Sequence, residues 1–235
     1  MISYRQRGRI DYLNDDGSTQ GKEWFDVTVQ KDGQRTLRAR SEIYDAQILR
    51  DVVFTVDKAW RPLDCFVRLS KDGVFGGSSW FRFHDGGADC ESYLSDLGRI
   101  SQHWEAPAWP TIFATHAVTS DVWQMGLFDH SRSEKVQTIG NRISPSALPN
   151  GGSGPLIGHG YSGDGRPGEI DLEYVGPETI EVPAGTFKTQ HFRVQRRNRV
   201  PLEIWGSGPN IIPVKLRWDL IPRTYLLAEY DEAAG

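Results

Sequence analysis

Glu23-Trp24-Phe25-Asp26-Val27-Thr28-Val29-Gln30, then Lys31-Asp32-Gly33-Gln34, then Arg35-Thr36-Leu37-Arg38-Ala39-Arg40-Ser41-Glu42-Ile43 is the stretch that decides the fold. Aromatic and β-branched residues fill the first run, Asp-Gly supplies a hairpin turn, and the second run alternates apolar with polar for much of its length. The same grammar continues through Leu49 to Asp57, Leu63 to Lys71, Phe75 to His84, Ala88 to Leu94 and Arg99 to Glu105. Seven strands are therefore expected before residue 106. The connections are short, so neighbours must be antiparallel, because a parallel pair needs a crossover of roughly a dozen residues or more.

Residues 107–130 change period. Val118, Val122, Met125 and Phe128 fall at helical spacing, which predicts one short helix within Thr115 to Phe128, with Thr119 or Ser120 as its cap. Glu134 to Ile143 returns to strand. Residues 145–168 hold Asn150-Gly151-Gly152-Ser153-Gly154-Pro155 and Gly163-Asp164-Gly165-Arg166-Pro167-Gly168, which predicts a flexible glycine- and proline-rich loop able to act as rim or lid. Further strands are expected at 169–175, 178–182, 187–196, 202–205, 212–220 and 224–230. So much twisted sheet cannot stay flat. The expected class is all-β and mainly antiparallel, about ten to twelve strands curled into a barrel or half-barrel with one short helix, in a single domain spanning 1–235.

Composition narrows the function. There are 27 Lys and Arg against 31 Asp and Glu, a formal charge of −4, so no nucleic-acid partner is expected. No run approaches the roughly 20 apolar residues of a membrane span, and Met1 to Arg9 is charged rather than leader-like, which predicts a cytoplasmic protein without a membrane span. Cys65 and Cys90 fit neither a zinc spacing nor a disulfide framework. Glycine-rich phosphate loops, Gly-x-Ser-x-Gly and His-Glu-x-x-His do not occur, so no cofactor is expected.

Splitting strands into faces puts Trp80, Arg82 and His84 together opposite Phe81 and Phe83, and places Phe187 with His191 and Arg193. With eight Trp, eight Tyr and ten Phe, such faces suit the wall of a small-molecule site. Phe66 and Arg68 share a side in the same way. Tyr44, Trp80, Arg82, His84, Trp123, Phe187 and Arg193 are the expected substrate-binding residues.

Tyr174-Val175-Gly176-Pro177-Glu178-Thr179-Ile180-Glu181-Val182-Pro183-Ala184-Gly185-Thr186-Phe187 resembles the signature of an uncharacterised bacterial β-barrel family, in which a Gly-x-Glu strand leads into Val-Pro-Ala-Gly-Thr-Phe. Ile204-Trp205-Gly206-Ser207-Gly208-Pro209-Asn210-Ile211-Ile212-Pro213-Val214 is similar to the Trp-centred strand pair that closes that domain. The resemblance covers the last third of the chain. It implies an open barrel like those of lipoprotein carriers, which hold acyl chains in a concave sheet, and it carries over no catalytic residue. Its motif reads physically as a turn that starts Phe187 inward.

Six histidines remain as proton carriers: His84, His103, His116, His130, His159 and His191. None forms a local pair with metal-ligand spacing, so no metal site is expected. His103 and His116 flank the same proline-rich connection and could share a rim. His116 or His191, with His103, are the expected acid-base groups, and Tyr44 with Arg82 or Arg193 would stabilise a developing phenolate or enolate. Two readings follow: a cofactor-independent lyase or isomerase acting on an aromatic molecule, or a non-catalytic carrier of an acyl or other apolar ligand. Exposed edge strands also allow a homo-oligomer.

Overall fold

The computed structural model describes residues 2–113, 115, 117–147, 153–157, 168–196 and 200–234. The first eight strands are β1 (Ile2–Asn14), β2 (Thr19–Gln30), β3 (Arg35–Ile43), β4 (Ile48–Val56), β5 (Pro62–Lys71), β6 (Val74–His84), β7 (Gly87–Leu94) and β8 (Gly98–Glu105). After β9 (Ile112–Phe113) come helix α1 (Val118–Val122) and a 3-10 turn over Trp123–Leu127. Then follow β10 (Val136–Ile143), β11 (Pro145–Ala147), β12 (Ser153–Ile157), β13 (Gly168–Val182), β14 (Gly185–Arg196), β15 (Leu202–Ser207), β16 (Ile212–Trp218) and β17 (Arg223–Ala234).

Fifteen of these form one open sheet in the order β8-β7-β6-β5-β4-β3-β2-β1-β17-β16-β15-β14-β13-β10-β9. Every pairing is antiparallel except β9 with β10. Two meanders, β8 to β1 and β17 to β13, are joined where the chain's two ends pair: Tyr12 opposes Tyr225 and Arg7 opposes Asp231. β8 and β9 are left as edges.

The mainly antiparallel class and the short helix are as expected, but the strand count is higher. β1 escapes a periodicity search because Arg5, Arg7 and Arg9 interrupt it; they point outward while Gln6, Ile10 and Tyr12 point in. The segments read as 169–175 and 178–182 are one strand, β13, whose register shifts between Tyr174 and Gly176, where Gly176 takes φ 143°. This is a bulge, and a side chain would resist that backbone angle. Within 145–168, expected to be loop throughout, β11 and β12 pair as a small second sheet and Gly168 opens β13; the rest of that segment lies outside the described residues.

Alternation decides the inside. Phe81 and Phe83 are 0% and 2% exposed, whereas Trp80 is 43% exposed. Cys65, Val67 and Leu69 are buried opposite exposed Phe66 and Arg68. The helical segment packs on this inner face, with Trp123 stacked on Phe54 at 5.9 Å and Phe113 between Phe81 and Phe83 at 4.9 Å from each. Gly206 on β15 makes room for it: a Cβ there would meet Met125 Sδ at 2.8 Å and Val122 at 3.0 Å. One end of the interior is thus solid aromatic packing. No helix among the described residues is long and apolar enough to cross a membrane.

Candidate functional site

The other end of the interior is polar. Strand register carries Arg50, Ser41 and Glu23 across β4, β3 and β2 in one inward row; Ile10 stands opposite Glu23 on β1, and the next inward position, Tyr12, pairs with Tyr225 of β17. Glu23 is 0% exposed and would be costly there without donors. It has five. Tyr12 Oη donates at 2.7 Å, Ser41 Oγ at 2.9 Å, the backbone N–H groups of Val118 and Thr119 at 2.9 and 2.8 Å, and Thr119 Oγ1 at 2.6 Å. The carboxylate therefore caps α1 from a distant strand. The N-cap residue is Ala117, whose side chain makes no cap hydrogen bond, and both Thr119 and Ser120 lie inside the helix rather than capping it. A local capping signal could not reveal this, since the acceptor lies 95 residues earlier.

Beside the helix lies a cavity of about 150 Å³ lined by Tyr12, Arg50, Asp121, Arg196, Trp218, Arg223 and Tyr225, with Leu202, Leu216 and Ile43 as apolar wall. Burial pulls the Arg50 guanidinium below its ordinary pKa, against the opposing pull of Tyr12 and Glu23. Arg196 lies over the Trp218 ring at 5.6 Å, and Arg223 pairs with Asp45 at 3.0 Å. Asp121 is the one acid among the described residues of the lining. Burial pushes its carboxyl from 3.8 up to about 6, with Arg196 and Arg142 opposing and Glu23 reinforcing the rise. Tyr225 is likewise pushed up by burial, to about 12, and meets Tyr12 edge-on at 4.8 Å.

A larger hollow, about 720 Å³, indents the outer face beside Trp24, Arg38 and Arg40. It is a shallow, open groove whose Arg5 and Arg7 are already paired with Asp26 and Asp231. Exposed pairs of this kind hold little binding energy. The small interior cavity is the better candidate, because buried ionisable groups converge on it.

The residues expected from sequence lie elsewhere. Trp80, Arg82 and His84 share the outer face with Phe66 and Arg68. The physical reason is that the alternate faces carry no charge, so burying Phe81, Phe83 and Val67 removes hydrocarbon from water without desolvating a guanidinium. His191 is half-buried in an outer-face network: its Nε2 is 2.6 Å from Glu203, and its ring stacks on Trp205 at 4.2 Å. Arg193 pairs with Glu203 and Glu173 at 2.7 and 2.9 Å. Phe187 packs edge-on against Tyr230 at 6.0 Å. Tyr44 is exposed in the turn after β3. Trp123 is inside, but as part of the aromatic packing rather than the cavity wall. His103 sits on β8 facing outward, its Nδ1 2.7 Å from Asp89. His116 and His159 lie outside the described residues. Asp121, Arg50, Arg196, Tyr12 and Tyr225 carried no motif; only the buried Glu23 within an apolar alternation hinted at them.

No protein-family model matches the chain, and no curated protein matches it. Among solved structures it is similar to a β-barrel-like protein of the domain of unknown function DUF1849 from Brucella abortus, with a TM-score of 0.54 and 8% identity, over 99% of this chain and 98% of that one. At that identity the likeness is one of fold. Weaker similarities, which carry no argument, are to a candidate exported protein with a YmcC-like fold from Bacteroides fragilis (TM-score 0.29, 14% identity, 98% and 100% covered) and to a candidate lipoprotein from Parabacteroides distasonis (0.30, 10%, 98% and 96%).

Proposed function

We propose that the chain binds a small, ring-sized organic acid in the cavity beside α1. The observation that carries this reading is the convergence of Arg50, Arg196 and Arg223 on a cavity that also presents Trp218, Tyr12 and Tyr225 and holds a single acid. A volume of about 150 Å³ matches a cavity known to admit benzene, and it is well below the roughly 300–1,000 Å³ typical of sites for larger ligands. A long acyl chain is too big for it, which favours an aromatic ligand over an acyl one. Guanidinium groups give a carboxylate charge-assisted, geometrically defined partners, and flat rings supply the apolar wall.

Asp121 gives the test its direction. Facing it are Arg196, Arg142, Glu23 and Tyr225. Once ionised, Asp121 repels a bound carboxylate, so affinity should fall as pH rises through about 6. Isothermal titration with benzoate, against benzamide as the uncharged control, should show preferential binding of benzoate that weakens from pH 5 to pH 7.5. The pH dependence should disappear in Asp121→Asn, and affinity should drop in Arg196→Gln. Equal binding of benzoate and benzamide would overturn the reading.

A second reading, acid-base turnover of the same ligand as an isomerase or lyase, is favoured by the position of Asp121 in the cavity lining beside Arg196 and Tyr225, where burial pushes its carboxyl up to about 6, a range suited to proton transfer near neutral pH.

A further inference from the structure

Three side chains that are far from a motif in sequence meet on the outer face at the β8 edge. His84 ends β6, Asp89 lies on β7 and His103 on β8, with Asp89 and His103 directly opposite in the ladder. Their candidate ligand atoms all lie within 4.8 Å of one another. Asp89 bridges the two rings: His103 Nδ1 is 2.7 Å from Oδ1, and His84 Nε2 is 3.2 Å from Oδ2. The imidazoles are near parallel, 12° apart with centroids at 6.1 Å.

His84 shows what the cluster calls for. Its Nδ1 is 3.0 Å from the backbone carbonyl of Asp85, which can accept from Nδ1 and leave Nε2 free to ligate. A carbonyl on the far nitrogen is also the kind of contact that orients a ligating histidine ring.

We propose that His84 Nε2, Asp89 and His103 Nδ1 form a binding site for a first-row divalent cation, with Zn²⁺ as the fitting ion. Two imidazoles and one carboxylate are borderline ligands suited to zinc rather than to calcium or magnesium, which take oxygen. Zinc-to-nitrogen and zinc-to-oxygen distances of about 2.0–2.2 Å put tetrahedral ligand atoms roughly 3.3–3.5 Å apart. The contacts of 3.2 and 2.7 Å run to different oxygens of Asp89, and the one-atom-per-residue ligand set lies within 4.8 Å, so the side chains have to close by about 1 Å around the ion. Three protein ligands leave a fourth position for water. Arg82 stands opposite Asp89 in the β6–β7 ladder and also opposite Asp64 in the β5–β6 ladder. The ion would tie the edge strand β8 to β7 and β6. This site is on the opposite face from the cavity and does not depend on the reading of it.

The experiment uses the full chain after chelator treatment, titrated with ZnCl₂ by calorimetry and, separately, with Co²⁺ by visible absorption. One Zn²⁺ per chain with a micromolar or tighter Kd, a rise in Tm with metal, and a tetrahedral Co²⁺ spectrum are expected. His103→Gln and His84→Gln should each weaken binding at least tenfold, while His191→Gln, in the separate Glu178–Glu203 cluster, should leave it unchanged. If either variant fails to fold, histidine ring ¹⁵N shifts in the wild-type chain should still report zinc on His84 Nε2 and His103 Nδ1. Binding weaker than millimolar, or metal-induced ring shifts confined to other histidines, would overturn the proposal.

Discussion

The two ends of the sheet's interior face solve the burial problem differently. At one end Phe54, Phe81, Phe83, Phe113 and Trp123 pack ring to ring, and the hollow there shrinks to about 20 Å³. At the other, Glu23 and Arg50 are withdrawn from water and a cavity persists beside them. The difference teaches where function resides in such a fold. Apolar rings close on one another because nothing is lost by contact, whereas a buried charge must keep specific donors around it and so holds space open in a fixed shape.

The comparison can be broken first at the aromatic end. Phe81→Ala should cost about 3–5 kcal/mol, the range for truncating a buried phenylalanine, read from the denaturation midpoint in urea. Benzoate affinity, measured where the variant remains folded, should be unchanged. Loss of both would mean that the two ends act as one unit.

At the polar end, Glu23→Gln keeps the size of the side chain but removes the charge that collects five donors and faces Arg50. A cost of about 2–4 kcal/mol is expected, because hydrogen bonds to an ionised group are lost and Arg50 keeps its buried charge. Here stability and benzoate binding should fall together, since Glu23 anchors the α1 end from which Asp121 projects.

The smallest effect concerns pH. Asp121 titrates near 6 in the folded chain against an ordinary 3.8, so folding takes up a proton between those values. Its contribution is fully present below about pH 4 and is lost as pH rises through about 6. Asp121→Asn should therefore flatten the stability profile between pH 4 and 7 and leave the variant more stable at pH 7 by about 1–2 kcal/mol. Midpoints at pH 4, 5.5 and 7 check this, and a wild-type profile that rises over the same interval would reverse the sign.

Much of the sheet was legible in the chain because period-two alternation reports a half-buried strand locally. β2 to β8 follow from runs such as Val27-Thr28-Val29 and from the turns at Asp32-Gly33 and Asp72-Gly73. β1 was obscured because its outward positions are arginines spaced around Gly8. The direction of the faces was not legible: Trp80-Phe81-Arg82-Phe83 alternates equally well either way up, and only the competition among all strands for the interior resolves it.

By itself the sequence determined the class, the short turns and the one helical interruption, since these depend on neighbours a few residues apart. It could not determine the cavity or the histidine cluster. Glu23 reaches α1 across 95 residues, and His84, Asp89 and His103 meet only because three strands lie side by side. Register and curvature are cooperative properties of the whole sheet, so only the tertiary structure decided which ionisable groups share a space and which face water.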